Sequence, residues 1–418
     1  MPSTTALIIG AGQTGLAMSR CLTERSIDHV ILERGRVANS WSTERWDSLR
    51  LLTPNWQSRL PGWQYQGNDH EGYMTMPEVT RYLSGYAASF AAPIQEETAV
   101  LSVNPIGDGS LGWSIDTDQG HWFARCVIVA TGACSTPAIP ALADGLPGSV
   151  HQLAPTQYRN PDALPEGGVL VVGSSASGLQ IADELARSGR EVTLAVGRHT
   201  RIPRMYRGMD VQWWLDATGI LDQRHDQVTD VSRARRDPSL GLIGSPEKRS
   251  LDLEVLADRG VRLCGHLSGI DGATVSVADD LDLLCRRADA ALDRLLRRFD
   301  QFAASAGMDA ELDPPRRYPR ITPSAAPERF DLRADGIRTV LWATGFRPHY
   351  PWLKADVFDH SGHIRHDGGV VENAPGMYVM GLPFMRRRKS TFIDGAGDDA
   401  RDLSTHLANH LDRVSLPA

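Results

Sequence analysis

The chain has 418 residues, enough for two to three domains at roughly 150 residues each. Hydrophobic residues make up 41% and charged residues 23%, which is typical of a globular protein and excludes a disordered or fibrous chain. The net charge of -7 argues against a nucleic-acid-binding surface, so we expect no nucleic-acid partner.

Apolar runs and cysteines narrow the class further. No run approaches the ~20 apolar residues that span a bilayer, and the N-terminus lacks the features of a secretory signal. We therefore expect a cytoplasmic protein without a membrane partner. The five cysteines form no CxxC pair, which excludes the usual redox-active dithiol and gives no zinc signature. No metal site is predicted.

The first predicted elements are a strand over 6–9, a glycine turn, a helix to about Glu24 and a strand over 29–32. The turn reads Gly10-Ala11-Gly12-Gln13-Thr14-Gly15, and the second strand ends in Glu33. In such a unit the glycines admit a pyrophosphate at the helix N-terminus, and an acid about 20 residues on binds a ribose. The pattern predicts dinucleotide binding, with a chance glycine turn as the alternative.

The middle of the chain repeats this pattern. A strand over 168–172 precedes Gly173-Ser174-Ser175-Ala176-Ser177-Gly178, a helix through Ala186 and a strand over 191–196. Ser175 replaces the middle glycine. Arg198 follows the last strand, with Arg201, Arg204 and Arg207 beyond. A guanidinium pairs with a ribose 2′-phosphate, so the first site is predicted to bind FAD and the second NADPH. The alternative is a solvated basic loop.

Two apolar strands end in Ala-Thr-Gly, at Ala130-Thr131-Gly132 and Ala343-Thr344-Gly345. Such ends suit a backbone that crosses close to a cofactor or between domains. Proline-rich polar segments at 155–168 and 313–327 are candidate boundaries. We predict an α/β fold with two Rossmann-like dinucleotide-binding domains, the NADPH domain (161–325) being inserted into the FAD domain (1–160 and 326–418).

These motifs, taken in order, resemble the class B flavoprotein monooxygenases, which are flavin-containing monooxygenase-like enzymes that use FAD and NADPH. The resemblance covers nearly the whole chain. Besides the two glycine turns and Glu33, it is carried by Ser40-Trp41 through Arg50, Thr53-Pro54-Asn55-Trp56, Ala343 through Pro348, Gly381-Leu382-Pro383 and Asp394 through Ala400. The family's linker fingerprint F-x-G-x-x-x-H is incomplete around Gly148 and His151. His151 is a candidate for coupling domain movement to NADPH binding, or a plain linker histidine.

The resemblance implies that NADPH reduces FAD, that the reduced flavin captures O2 as a C4a-(hydro)peroxyflavin, and that one oxygen atom passes to a small organic substrate. N- or S-oxygenation is the leading reaction, with Baeyer–Villiger oxygenation behind it. The rival functions are an FAD-dependent NAD(P)H reductase or dehydrogenase with another acceptor, and a non-enzymatic flavin-binding or redox-sensing protein. Sequence alone gives no oligomeric state.

The resemblance also implies roles for individual residues. Asn55 is the candidate hydrogen-bond donor near the flavin, or else a turn-forming residue. Arg45 and Asp47 form an Arg-x-Asp pair of the kind found near the flavin, with a surface ion pair or a turn as alternatives. The residues implied in cofactor binding are Gly10, Gly12, Gln13, Thr14, Gly15, Glu33, Arg34, Ser40, Trp41, Arg45, Thr53, Asn55, Thr131, Gly132, Gly173, Ser174, Ser175, Ala176, Ser177, Arg198, Thr344, Gly345, Asp394 and Gly395.

Four further segments have two interpretations each. The helix start at 394–399 is expected to stabilise the reduced flavin, and Asp398 or Asp399 could cap it. The basic run 386–389 faces a phosphate or an anionic substrate, or is a solvated loop. Met209, Trp213 and Trp214 form core or a pocket wall. The amphipathic segment 280–304 is expected to be a packed surface helix rather than a membrane-lying one.

Overall fold

The computed structural model describes residues 2–107, 112–324 and 327–415. The predicted domain boundary between 325 and 326 lies outside these residues. The strands found in the described ranges are β1 Ser3–Ile9, β2 His29–Leu32, β3 Arg59–Leu60, β4 Trp63–Gln64, β5 Ile94–Gln95, β6 Val100–Pro105, β7 Trp113–Thr117, β8 Gly120–Val129, β9 His151–Leu153, β10 Gly168–Val172, β11 Val192–Ala195, β12 Met205–Tyr206, β13 Met209–Asp210, β14 Arg262–Cys264, β15 Leu267–Asp271, β16 Thr274–Val277, β17 Arg329–Asp331, β18 Ile337–Trp342, β19 His366–Asp367, β20 Val370–Val371 and β21 Met377–Val379.

The α-helices in the same ranges are α1 Gln13–Glu24, α2 Asn39–Thr43, α3 Met76–Ser89, α4 Ala176–Arg187, α5 Val211–Ala217, α6 Val231–Arg235, α7 Leu253–Asp258, α8 Leu281–Ser305 and α9 Ile393–Ser415. Two of them, α1 and α4, follow the predicted glycine turns. The helix predicted over 280–304 is present as α8, and its apolar stripe of Leu281, Leu284, Ala288, Leu292 and Phe299 is buried as expected for a packed surface helix.

The first sheet has nine strands, and its main path is β19-β20-β21-β8-β1-β2-β5, with β7 beside β8 and β6 beside β7. β1 pairs in parallel with β2 and β8. The central residues Ala6–Ile9 are buried because this strand is covered on both faces, as parallel sheets require. Helices α1 and α9 pack together against the sheet.

The second sheet has five parallel strands in the order β14-β11-β10-β18-β9. Its middle strand β10 is buried along its whole length. Strands β9 and β18 lie outside the predicted range 161–325, one before it and one after it. The second sheet therefore includes residues from both sides of the predicted insertion. Both sheets place a glycine turn at the carboxyl end of a central strand, which confirms the predicted α/β class with Rossmann-like units.

An aromatic cluster joins the two parts of the molecule. Trp214 is fully buried and stacks on Phe299 with ring centroids 5.4 Å apart, and Tyr206 packs against both rings. Leu52 and Phe392, from the first part of the fold, pack against this cluster. Of the two interpretations of the 206–221 aromatics, core is the one that the structure supports for Trp214. Met209 lies in β13, before α5 begins.

Candidate functional site

The two glycine turns have the same backbone conformation. Gly10 has φ +107° and Gly173 has φ +104°, in the region that side-chain-bearing residues rarely adopt. A Cβ on Gly10 would lie 2.7 Å from the carbonyl oxygen of Ala130, and one on Gly173 would overlap that of Ala343. These carbonyls belong to the two Ala-Thr-Gly strand ends. The repeated tripeptide therefore marks the place where a neighbouring strand passes under each turn.

The third glycine of each motif permits close packing of helix on strand. A Cβ on Gly15 would overlap the carbonyl oxygen of Gly10, and one on Gly178 would overlap that of Gly173. The middle position is different. Gly12 (φ -80°, ψ -175°) and Ser175 (φ -79°, ψ -175°) are the N-caps of α1 and α4, and their backbones match. Ser175 therefore has no backbone strain. The backbone at position 12 does not require glycine either, so the lack of a side chain at Gly12 matters only for a ligand that approaches the turn.

A cleft with a cavity volume of about 450 Å³ opens at the first turn. Its size is within the range of small-molecule sites. Predicted residues that line it are Gly10, Gly12, Gln13, Thr14, Glu33, Arg34, Ser40, Trp41, Arg45, Thr131 and Gly132. Further lining residues that the sequence did not reveal are Thr98–Val100, Cys134–Thr136, His349, Pro351, Trp352, Gly381 and Thr391. Of these residues, only Gly381 belongs to a motif noted in the sequence, Gly381-Leu382-Pro383, and that motif did not assign it to cofactor binding.

Glu33 lies at one end of the cleft and is 8% exposed. Its Oε2 accepts a hydrogen bond from the Ala11 amide (2.8 Å), and its Oε1 accepts one from the Gly35 amide (3.0 Å). The carboxylate is thus fixed beside the glycine turn, where a ribose hydroxyl would bind. The open approach at Gly12 and the position of Glu33 both fit FAD.

A chain of hydrogen-bonded side chains forms another part of the cleft wall. The Trp41 indole donates to Gln13 Oε1 (3.1 Å), and Gln13 Nε2 donates to the Thr391 carbonyl (3.3 Å). Arg45 lies over the Trp41 ring, 5.5 Å from its centroid. Its guanidinium donates to the Glu44 carbonyl (2.9 Å), and no ion pair with Asp47 is formed in the described structure.

Asp47 and Asn55 are engaged elsewhere. Asp47 Oδ2 accepts a hydrogen bond from Asn160 Nδ2 (2.6 Å), so the Arg-x-Asp pair is not formed. Asn55 is 3% exposed; its Nδ2 donates to the Asp69 carbonyl (2.8 Å), and its Oδ1 accepts from the Met74 amide (2.8 Å). Both amide atoms thereby fasten the 69–74 loop. Asn55 and Thr53 do not line the cleft.

The second glycine turn carries a smaller set of contacts. Ser174 Oγ and the Gly197 amide are 3.2 Å apart, which ties the turn to the end of β11. Arg198 lies at the surface, 3.7 Å from Asp237, with its side chain 59% exposed. Thr344 Oγ1 donates to the Ala138 carbonyl (2.7 Å), and the Ala138 amide donates to the Gly345 carbonyl. The end of β18 is therefore bonded to the segment that connects β8 of the first sheet with β9 of the second.

The prediction for the arginines beyond Arg198 is wrong in both of its forms. Arg201, Arg204 and Arg207 neither face a phosphate site nor form a solvated loop, since all three are buried in ion pairs. Arg201 binds Asp289 (2.7 Å) and Asp252 (3.0 Å); Arg204 binds Asp210 (2.7 Å); Arg207 binds Asp309 (2.8 Å). Buried cations require such partners because desolvation is costly.

Arg204 also joins the two parts of the fold. Its Nη1 donates to the Leu52 carbonyl (2.7 Å), and its guanidinium lies 4.4 Å from the centroid of the Tyr73 ring. Tyr73 donates in turn to Asp210 (2.6 Å). Burial and the Asp210 carboxylate raise the pKa of Tyr73 despite the opposing Arg204 charge, so the hydroxyl stays a donor. This buried network fixes the 50–73 segment against β13 and α5.

The basic run 386–389 is likewise neither a phosphate site nor a solvated loop. Lys389 is 5% exposed and contacts three carboxylates: Asp222 (2.8 Å), Asp398 (2.9 Å) and Asp394 (3.3 Å). Burial disfavours its charged form, but the hydrogen bond to Asp222 and the charges of Asp394 and Asp398 outweigh burial, so the pKa of Lys389 is raised. The neighbouring Arg387 pairs with Asp399 (2.7 Å) and Asp402 (2.9 Å).

The helix expected at 394–399 is present as α9, which begins one residue earlier at Ile393. Asp398 and Asp399 therefore lie inside the helix and do not cap it. Asp394 is buried and binds Arg59 (2.6 Å) as well as Lys389. Asp394 and Gly395 are absent from the cleft lining, although Thr391, just before the helix, is part of it.

Among the described residues, no group of three or more His, Cys, Asp or Glu side chains is arranged to hold a metal ion. No helix in the described part of the chain combines the length and apolarity needed to cross a membrane. His151 lies in β9, paired with Thr339 of β18, and its side chain is exposed.

Comparison with known proteins places these features in a family. The family model described as pyridine nucleotide-disulphide oxidoreductase matches residues 7–218. An uncharacterized oxidoreductase CzcO-like of Geobacillus kaustophilus is 32% identical over 97% of this chain and 98% of its own. The probable indole-3-pyruvate monooxygenase YUCCA1 of Arabidopsis thaliana is 32% identical over 46% of each chain.

Solved structures agree on the fold. A flavin-containing monooxygenase from Stenotrophomonas maltophilia superposes with a TM-score of 0.68 at 20% identity, covering 98% of this chain and all of that one. The resemblance stated from sequence motifs is thus confirmed. The chain belongs to the pyridine nucleotide-disulphide oxidoreductase family, and its fold is that of the flavin-containing monooxygenase structures.

Proposed function

We propose that the protein uses NADPH and O2 to insert one oxygen atom into a small organic substrate, with nitrogen or sulfur as the leading target. The observation that carries the proposal is the absence of a dithiol in the described residues. Cys21, Cys126, Cys264 and Cys285 are buried and free, and Cys134 lines the cleft alone. Electrons that reach the flavin therefore have no protein disulfide to reduce, which leaves a diffusible acceptor.

In this proposal FAD binds at the first glycine turn and NADPH at the second. The two cofactors supply the hydride transfer and the oxygen chemistry, as cofactors do in such enzymes. The chain binds and orients them: α1 presents its N-terminal amides to the FAD pyrophosphate, and Glu33 accepts from the ribose. Trp41 and Arg45 contribute to the wall of the same cleft, where a positive charge would favour an anionic reduced flavin.

The proposal is tested by NADPH oxidation under air and under argon, in the presence of amines, thioethers, indoles, ketones or 2-oxo acids. We expect substrate-stimulated oxidation that needs O2, and a product that carries one atom from labelled dioxygen. A ketone converted to an ester would show Baeyer–Villiger chemistry. Equal NADPH oxidation with and without O2 would contradict the proposal in favour of a reductase with another acceptor.

Arg198 gives a test of the NADPH assignment. It is the only arginine of the 198–207 segment whose guanidinium is exposed at the end of β11, where a ribose 2′-phosphate is recognised. We expect Arg198→Ala to raise the KM for NADPH about tenfold, equivalent to one charge-assisted bond of about 1.4 kcal/mol, with little change for NADH. Steady-state kinetics with both nucleotides measure this. An equal effect on both would exclude the 2′-phosphate role.

A further inference from the structure

The carboxylate of Asp237 lies between two arginines that come from different parts of the fold. Its Oδ1 is 3.7 Å from Arg198 Nη2, and its Oδ2 is 3.9 Å from Arg388 Nη1. Both distances are too long for hydrogen bonds, and the Asp237 side chain is 50% exposed. In the described part of the chain Asp237 forms no further ion pair. The carboxylate is therefore attracted to two cations without a hydrogen bond to either.

The main chain holds Asp237 beside Arg198. Thr200, two residues after Arg198, donates through Oγ1 to the carbonyl of Ser239 (3.0 Å), two residues after Asp237. The same Oγ1 accepts a hydrogen bond from the Gly241 amide (2.8 Å). The two segments are thus bonded to each other next to the ion pair. The proximity of Asp237 to Arg198 therefore does not depend on two flexible side chains alone.

Arg388 is held more firmly than Arg198. Its Nε donates to Gln223 Oε1 (2.7 Å), its amide donates to the Gln223 carbonyl (3.1 Å), and its guanidinium lies 4.8 Å from the centroid of the Phe384 ring. Arg198, in contrast, has a side chain that is 59% exposed, and among the described residues it forms an ion pair only with Asp237. Asp237 therefore has a second cation at a fixed place when Arg198 binds another anion.

Arg198 is the residue to which the proposed function assigns the 2′-phosphate of NADPH. It follows Gly197, whose amide is 3.2 Å from Ser174 Oγ in the second glycine turn. A phosphate monoester carries a charge of about −1.5 to −2 at neutral pH. A carboxylate against the same guanidinium repels that charge, so the phosphate and Asp237 cannot both pair fully with Arg198. NADH has no 2′-phosphate and meets no such competition.

We propose that Asp237 competes with the 2′-phosphate of NADPH for Arg198. In the nucleotide-free protein the carboxylate lies against Arg198; when NADPH binds, the phosphate replaces it and Asp237 pairs with Arg388 alone. Asp237 is then a specificity-determining residue, because it lowers the affinity for NADPH without changing the affinity for NADH. Arg388 offsets part of that loss. The inference rests on the proposed NADPH site and not on oxygen transfer, so failure of the oxygen-transfer test leaves it intact.

The test uses the full chain loaded with FAD, titrated with NADP+ and with NAD+ by calorimetry at low salt. Asp237→Asn removes the competing charge, so we expect the Kd for NADP+ to fall about threefold, the size of effect that exposed ion pairs give. The Kd for NAD+ should not change. Asp237→Glu keeps the charge and should keep the wild-type preference. In an Arg198→Ala background Asp237→Asn should lose most of its effect, because the contested cation is gone.

Arg388→Met gives a change of opposite sign. Asp237 then has only Arg198 as a partner, so we expect the Kd for NADP+ to rise about twofold. The rise should be smaller in the Asp237→Asn background, where no carboxylate is left to be held. An equal rise in both backgrounds would mean that Arg388 acts on the phosphate directly, and would overturn its role as the second partner of Asp237.

Asp356→Asn is the matched control. Asp356 is fully exposed and lies 3.6 Å from Arg365, so the variant removes the same charge from an ion pair of similar length and should change neither Kd. An unchanged NADP+ Kd in Asp237→Asn, or an equal fall for NADP+ and NAD+, would overturn the inference while Arg198→Ala still weakened NADP+ binding. If Arg198→Ala left NADP+ binding unchanged, the NADPH assignment itself would be wrong, and the competition at Arg198 with it.

Discussion

Replacement of Lys389 by methionine is expected to lower the free energy of unfolding by about 3–5 kcal/mol. The substitution leaves Asp222, Asp394 and Asp398 without the cation that they share, and two of these carboxylates lie at the start of α9. Asp394 keeps Arg59 as a partner, whereas Asp222 forms an ion pair only with Lys389 among the described residues. Urea titration followed by tryptophan fluorescence measures the loss.

Lys354→Met is the matched control. Lys354 is exposed and bonds only the Pro351 carbonyl (2.6 Å), so we expect a change within about 0.5 kcal/mol. Lys389→Arg keeps the charge and should recover part of the loss. If Lys389→Met were as stable as the Lys354 variant, the three carboxylates would have to be compensated by water or by other cations, and the central role given to Lys389 would be wrong.

The glycine turns could be predicted from sequence because their requirements are local. Gly10 and Gly173 need a positive φ, and Gly15 and Gly178 need a bare Cα where helix meets strand, whatever the rest of the fold does. The acid at the end of β2 is fixed by the length of one βαβ unit. The glycines and the acid of one unit lie within about 30 residues of one another in the sequence. The sequence motif therefore predicts the local structure correctly.

The basic residues could not be assigned in this way. Whether an arginine faces solvent, a phosphate or a carboxylate depends on partners distant in sequence. Arg201 meets Asp289 of α8, and Lys389 meets Asp222 after α5. In sequence these cations look like phosphate ligands, because their carboxylate partners are supplied only by tertiary packing. Arg198, which remains exposed, keeps its predicted role as a proposal.

Asn55 shows the same limit. It was singled out by its place in the Thr-Pro-Asn-Trp motif, but both of its amide atoms are used to hold the 69–74 loop. The motif is visible in the sequence, whereas the use of its asparagine depends on a loop that packs against it only in the folded protein.

The second large effect is expected at Gly12, where alanine should raise the FAD Kd about 100-fold, equivalent to about 2.7 kcal/mol. Nothing in the described structure lies within 4 Å of a Cβ built there, and the backbone at Gly12 is extended, so the protein itself has room for alanine. What the methyl group obstructs is the pyrophosphate, which must approach the amides at the start of α1. Flavin fluorescence titration of the FAD-free protein measures the Kd.

The effect of Gly12→Ala on FAD binding can be measured separately from its effect on folding. The FAD-free Gly12→Ala protein should lose at most about 1 kcal/mol, because glycine is a better helix N-cap than alanine. Gly148→Ala, at an exposed glycine that is equally open and has no positive φ, is the control and should change neither property. Gly15→Ala should instead lower the stability of the FAD-free protein, since its methyl group would overlap the Gly10 carbonyl. Wild-type FAD affinity in Gly12→Ala would mean that the pyrophosphate does not bind at this turn.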